Sequence, residues 1–547
     1  MSEVPEKLEI KQRFPLWRKW LKPITEKDYK PGFYSYMALP KQVNSDFFKM
    51  PYGDVVRDPL EKDWKLPENW KEIVLKEMED TMKKNRGFKV FMDICVRCGA
   101  CADKCHYYIG TGDPKNMPVL RAETVRSVYR YHFTPFGRLF GEWAGARPLT
   151  EDVIKEWYYY MYQCSLCRRC SVFCPYGIDT ADIVWWTRRL MSKIGINQRF
   201  MCISIEASAR TGNHLGLYPG GMAGALEQAC EDIKDITGID VHTYVNKRGA
   251  DILFVAPSAD YFASPHWYVL LGYILLFNEI EEKYGVTITW STYASEGGNF
   301  GTFHSYEAAQ LLSSKIYKEA ERLGVKFIIG GECGHMWRDK NQYINTMNNP
   351  PKHPEWMEVP ENPITGTKFE HVTGQHGWIH LFEFIADLIE HNKIKLDPSR
   401  NDHWKVTLHD PCNLSRAMGL FEEPRYVIKA SCNHFYEMPE HTIREKTYCC
   451  GSGGGMLADE LMELRMRGGM PRAMAVRHVH KKYGVNFLAT PCAIDKAAFP
   501  VLMEYWKIPV EIGGPTELFG NALVMTAFGE RPEDRKYDLR GTPIREE

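Results

Sequence analysis

Two stretches of this chain, Cys95-Val-Arg-Cys98-Gly-Ala-Cys101-Ala-Asp-Lys-Cys105 and Cys164-Ser-Leu-Cys167-Arg-Arg-Cys170-Ser-Val-Phe-Cys174-Pro175, repeat one cysteine spacing, C-x2-C-x2-C-x3-C. Three thiolates so spaced can wrap three corners of a cubane [4Fe–4S] cluster in a tight loop. The fourth cysteine then points away and closes the cluster of the other run. The spacing therefore predicts two ligand sets: Cys95, Cys98, Cys101 and Cys174 for one cluster, and Cys164, Cys167, Cys170 and Cys105 for the second. Pro175 follows the last cysteine as the pattern has it, whereas His106 stands in the equivalent place after Cys105. Four thiolates also suit structural zinc. Two complete runs in one chain, one ending in Cys-Pro, favour iron–sulfur and hence electron transfer.

A chain of 547 residues that is 44% hydrophobic can bury a large core and should divide into about three domains. Its net charge of −1 gives no reason to expect nucleic acid as a partner. No signal peptide is expected. The longest apolar run, Trp267 to Phe277, is about half the roughly 20 residues of a membrane helix. It predicts a buried helix, and no transmembrane helix is expected.

The expected organisation is α+β to α/β: a helical two-cluster module followed by two repeated α/β domains. Residues 1–85 form an N-terminal docking or extension segment, in which Lys11 to Lys22 mixes cations with aromatics. The two-cluster module spans 86–200. The 58 residues between its runs (106–163) include Arg121, Arg126 and Arg130 at helical spacing and the tyrosine-rich stretch Glu156–Gln163, which reads as cluster-covering core. Thr180 to Ile194 predicts a helix capped by Asp179 or Thr180. A connector (201–249) precedes short apolar strands at Ile252–Val255, Val286–Thr289, Phe327–Ile329, Val406–Leu408, Asn486–Leu488 and Val510–Ile512, alternating with helical stretches. These fall into two copies, 250–400 and 401–528, before a charged tail (529–547) expected to be mobile.

The copies align through Ala256-Pro-Ser258 with Asp410-Pro-Cys412, then 37 residues on through Ser295-Glu-Gly-Gly298 with Cys449-Cys-Gly-Ser452, then through Phe327–Cys333 with Phe487–Cys492. Each cysteine of the second copy follows a strand or lies in a glycine-rich turn, where α/β folds gather ligands. Adjacent cysteines such as Cys449 and Cys450 seldom pair with each other, yet both can reach a multinuclear cluster where glycine lets the backbone close around it. Cys333 holds the repeat-equivalent place of Cys492, so Cys333, Cys412, Cys449, Cys450 and Cys492 form a second candidate set. Together with the two runs this accounts for thirteen of sixteen cysteines, a usage that argues for metal sites in a reducing compartment rather than disulfides. Cys202, Cys230 and Cys432 fit no motif. His335 and His409 flank Cys333 and Cys412 and are candidate proton donors, ahead of His304, His376 and His380, and for each a structural role competes. Gly451 and Gly453–Gly455 lack the lysine and Ser/Thr of a phosphate loop; neither flavin nor nucleotide is expected.

In these residues the chain resembles the CCG-domain proteins. The pattern Cx(n)CCGx(n)C occurs in heterodisulfide reductase catalytic subunits (HdrD-like) and in iron–sulfur subunits of glycolate and lactate oxidation systems. A two-cluster ferredoxin module fused to CCG domains is similar to the DsrK-type subunits of DsrMKJOP complexes, the Hdr-like menaquinol oxidoreductases. The resemblance covers roughly residues 86–520. It implies a noncubane [4Fe–4S] cluster on the five candidate cysteines and an oxidoreductase acting on a sulfur group. It also implies a membrane cytochrome b partner (DsrM-like), a sulfur-carrier substrate (DsrC-like) in dissimilatory sulfur metabolism, and a place on the cytoplasmic face of the membrane, held there by partner subunits. The alternative it leaves is the electron-transfer subunit of a flavin-linked 2-hydroxy-acid dehydrogenase. Two departures stand out. The reductase pattern ends in CxxC where this chain has Ala489 three residues before Cys492, which turns attention to Cys333 as fifth ligand. The first copy has Ser258, Ser295 and Glu296 at the ligand places, so one noncubane site per chain is expected.

Overall fold

The computed structural model describes residues 66–295, 299–344, 359–370, 377–457 and 461–545. The expected docking segment, apart from 66–85, lies outside the described residues, as do Glu296 and His376. Two compact bodies emerge. Of the described residues, one comprises those up to Glu206 with Phe300–Ala308 and those within 448–474; the other comprises those within 207–299, 309–447 and 475–545.

The first body is helical. Its helix Pro118–Phe133 opens on a proline at the first turn, where the missing N–H costs nothing, and carries Arg121, Arg126 and Arg130 of the insert. Helix Glu151–Met161 is capped by the Thr150 side chain, which accepts from Val153 N, and buries Trp157, Tyr158, Tyr159 and Tyr160. The tyrosine-rich stretch is thus core. Helix Thr180–Ser192 starts at Asp179, whose carboxylate accepts from the N–H groups of Ala181 and Asp182. The two cysteine runs share an uncommon backbone signature. Arg97 and Leu166, each just before the second cysteine of its run, are left-handed at φ 56°, and Gly99 and Arg168, just after it, lie at φ 80° and 61°. Non-glycine residues rarely adopt this region; here it winds both runs into the same tight loop.

The second body is α/β. Its strands are β1 (Tyr244–Val245), β2 (Ile252–Val255), β3 (Ile288–Trp290), β4 (Phe327–Gly330), β5 (Trp378–His380), β6 (Lys395–Leu396), β7 (Val406–Leu408), β8 (Phe487–Ala489), β9 (Glu511–Gly513) and β10 (Leu523–Val524). A five-stranded parallel sheet runs β1-β3-β2-β4-β5, a three-stranded parallel sheet runs β7-β8-β9, and β6 pairs with β10 antiparallel. Strands β2 and β4 are buried throughout, as short apolar strands of parallel sheets are. Helix His266–Tyr284, predicted as buried, is buried from Val269 to Ile280. Among the described residues no helix is long and apolar enough to cross a membrane.

Corresponding pairings occur in the two parallel sheets. Ile252 pairs with Phe327 and Ile329 with Ile379 across β2-β4-β5; Val406 pairs with Phe487 and Leu488 with Ile512 across β7-β8-β9. The tail, expected to be mobile, is packed where it is described. Arg535, Asp538 and Leu539 are buried, with Arg535 bonded to Glu530 and to the Gly520 carbonyl at 2.9 Å each. Its charges find buried partners, which composition alone does not reveal.

Candidate functional site

In the first body the eight cysteines of the two runs surround two cavities. One is lined by Cys95, Cys98, Cys101 and Cys174, with Cys170 and Arg126 at its edge. The other is lined by Cys105, Cys164, Cys167 and Cys170, with Arg121. Burial, and then the neighbouring Cys95, push the Cys101 thiol up to about 12; burial also raises Cys164 and, further, Cys170. Thiols crowded together away from water are costly to ionise unless a metal centre takes them as ligands. Among the described residues no three His, Cys, Asp or Glu side chains close on a single ion-sized point; these thiols ring volumes. Soft, all-thiol linings of this kind fit iron–sulfur clusters.

The insert helix faces both cavities with guanidinium groups. Arg121 is buried and donates to the Tyr160 carbonyl at 3.1 Å and to Asn116 Oδ1 at 2.5 Å, with Cys164, Cys105 and Cys170 close enough to hold its charge in place. Arg126 donates to the Phe91 carbonyl at 2.9 Å and borders the first cavity. The helical spacing of these arginines was legible; that each serves a different cavity was not.

The same body contains Cys449 and Cys450. Their glycine-rich loop lies backbone to backbone against the second run. Gly454 (φ +66°) comes so near that a Cβ there would stand 2.7 Å from the carbonyl carbon of Ser165, between Cys164 and Cys167. Arg188, fully buried, ties this corner together. It donates to the carbonyls of Cys164 at 2.7 Å, Gly454 at 2.8 Å, Met161 at 2.8 Å and Phe303 at 3.1 Å. Replacing Arg188 by methionine strands these acceptors; a loss of at least about 3 kcal/mol is expected, read as a lowered thermal midpoint of the holoprotein. His304 is buried in this body and burial lowers it to about 3.

In the second body Cys333, Cys412 and Cys492 come together at strand ends. Cys333 and Cys492 are alike in place, each the residue before a helix that follows β4 or β8. The Cys333 sulfur accepts from Met336 N at 3.4 Å. Cys492 receives the N–H groups of Asp495 and Gly334, while burial, then Asp495 and Cys333, raise its thiol well above the ordinary value. The Cys412 loop meets the Cys333 loop: Gly334 leaves room for the backbone of Leu414, and Arg338 donates to Asn413 Oδ1 at 2.8 Å. His409 Nε2 lies 3.2 Å from Asp495, so it bridges the Cys412 loop and the Cys492 helix. His335 is buried on the helix after Cys333. His380 caps helix Leu381–Glu390, accepting from Phe382 N at 3.2 Å, and burial lowers it to about 3. Its role is structural. In the first copy Ser258 Oγ lies 2.8 Å from His214 Nδ1, and Ser295 donates to the Gly212 carbonyl at 3.3 Å.

Sequence reasoning did not single out Asp410 and Arg425. Asp410, two residues before Cys412, makes a two-pronged pair with Arg425, both bonds 2.7 Å, and accepts from Arg444 N. The His-Asp-Pro-Cys motif carried this signal, since a buried carboxylate needs a partner.

Two family profiles match the chain: a 4Fe-4S dicluster domain over residues 91–178 and a cysteine-rich domain, CCG, over 406–494. With the parallel sheets and the thiol-lined cavities, they define an iron–sulfur protein in which a dicluster module precedes a CCG domain. The chain is similar over its full length, and over that of each relative, to two archaeal proteins. It is 75% identical to the Hdr-like menaquinol oxidoreductase iron-sulfur subunit of Archaeoglobus profundus and 72% identical to the second iron-sulfur subunit of that name in Archaeoglobus fulgidus. A more distant relative, 24% identical over 67% of this chain and 79% of its own, belongs to the dihydromethanophenazine:CoB--CoM heterodisulfide reductase of Methanosarcina mazei. The chain belongs to the family of Hdr-like menaquinol oxidoreductase iron–sulfur subunits, an oxidoreductase family.

Proposed function

We propose that this chain is the iron–sulfur catalytic subunit of a complex on the cytoplasmic face of the membrane. It takes electrons from a quinol-oxidising, DsrM-like cytochrome b partner and delivers them to a disulfide or trisulfide such as that of a DsrC-like sulfur carrier, or runs the same path in reverse. Cys95, Cys98, Cys101 and Cys174 hold one cubane cluster and Cys164, Cys167, Cys170 and Cys105 the other. Cys333, Cys412, Cys449, Cys450 and Cys492 hold a noncubane [4Fe–4S] cluster. Bound there, the clusters supply one-electron relays and a site at which a sulfur–sulfur bond takes two electrons. The observation that carries the reading is the packing of the Cys449–Cys450 loop directly on the second cysteine run. It supports a path from the first run, where Cys98 is exposed, through the second run to the CCG motif. Cleaving a disulfide into two thiols also takes two protons, and His409, oriented by Asp495, and His335 are the donors beside Cys412 and Cys333.

The test is anaerobic purification with native partners. A b-type haem should accompany the chain, and a menaquinol analogue should reduce the clusters, which a protein-bound trisulfide then reoxidises. A flavoprotein partner without haem would contradict the proposal in favour of a 2-hydroxy-acid dehydrogenase.

A further inference from the structure

His106 stands where the spacing pattern of the other run places proline, and the structure gives it and its neighbour Tyr107 specific partners. Both are buried. His106 Nδ1 lies 2.8 Å from the Gly468 carbonyl and Nε2 lies 2.9 Å from Ser165 Oγ. A carbonyl only accepts, so Nδ1 carries the proton and Nε2 accepts from the Ser165 hydroxyl. Tyr107 donates its hydroxyl to the Gly451 carbonyl at 2.9 Å. Gly468 leaves room for the Tyr107 ring: a Cβ there would stand 2.4 Å from Cε1.

Each of these three hydrogen bonds involves a residue next to a thiol. His106 follows Cys105, Ser165 follows Cys164, and Gly451 follows Cys450. A bonded path therefore runs from Cys105 through His106 and the Tyr107 side chain, crosses one hydrogen bond, and reaches Gly451 and Cys450. The buried phenol has Cys449, Cys450, Cys164 and Cys167 around it. We propose that His106 and Tyr107 are positioning residues that fix the gap and the path across which electrons pass between the second cysteine run and Cys449–Cys450. In each passage the second-run site loses one electron and the CCG site gains one; no proton leaves Tyr107 or His106. The inference rests on the assignment of a redox site to Cys449–Cys450.

The test uses the full-length holoprotein and its Tyr107→Phe and His106→Asn variants. Freeze-quench EPR after rapid mixing with a one-electron reductant follows each signal separately. Tyr107→Phe keeps the ring and removes only the bond to Gly451. The variants should reduce the ferredoxin-type sites at the wild-type rate and the CCG site several-fold more slowly, because Tyr107→Phe removes the hydrogen-bonded link to Gly451 and His106→Asn disturbs the contact with Ser165. Wild-type rates at the CCG site in loaded variants would overturn the proposal. A measurement on the wild type covers variants that fail to load. Microwave saturation of the second-run signal should change when the CCG site switches between paramagnetic and diamagnetic states; identical saturation in both would also overturn it. A wild type lacking any CCG signal would instead defeat the underlying assignment.

Discussion

Replacing Cys450 by serine is expected to remove the spectroscopic signature of the CCG site and about a third of the bound iron, while both ferredoxin-type signals persist. Delivery of electrons to a sulfur substrate should fall to background. Cys450 is buried in a loop whose glycines allow contacts that any side chain would block; its sulfur accepts from Ser452 N at 3.4 Å. Serine has the size and the hydrogen bonding but not the soft thiolate that iron requires. The loop should therefore stay folded and lose only its metal. Cys449→Ser should behave alike. Cys432→Ser, at a buried thiol outside every motif, should leave iron content unchanged and serves as the control. Equal iron in Cys450→Ser and wild type would exclude Cys450 as a ligand.

A second large effect is expected at the buried pair behind Cys412. Arg425→Ala leaves Asp410 ionised and buried, with Arg444 N as a remaining donor. Breaking a buried ion pair from one side costs about 3–5 kcal/mol, so thermal unfolding should begin at markedly lower temperature. The CCG signal should weaken with it, because Asp410 anchors the loop that carries Cys412. An Arg425→Met, Asp410→Leu double variant should recover part of the stability, since an apolar pair carries no stranded charge. Recovery stays partial because Arg444 N and Ser415 Oγ also bond to Asp410. A single variant as stable as wild type would show the pair to be dispensable.

These effects separate what local sequence encodes from what long-range packing decides. Strands β2, β4 and β7 lie where short apolar runs predict them, and β3, β8 and β9 fall within one or two residues of the expected bounds. Parallel strands buried on both faces leave a continuous apolar signature. The expected repeat is legible in the sequence only as short matches: Pro-Ser against Pro-Cys, Ser-Glu-Gly-Gly against Cys-Cys-Gly-Ser, and Gly-Glu-Cys against Thr-Pro-Cys. What stayed hidden depends on residues far apart in the chain. Tyr107 and Gly451 are 344 residues apart, and no periodicity or spacing pairs them. The grouping of Tyr448–Met474 with the helical body was equally invisible, because it rests on glycines whose missing side chains admit a neighbouring backbone. The packed tail was misread because charged composition does not disclose buried partners.

The most direct test of the central claim combines an iron count with low-temperature EPR on oxidised, anaerobically prepared protein, with and without a thiol substrate. Three four-iron clusters predict about twelve irons per chain and a paramagnetic signal in the oxidised state that changes when the thiol is added. About eight irons and no oxidised-state signal would contradict the account and leave a two-cluster relay.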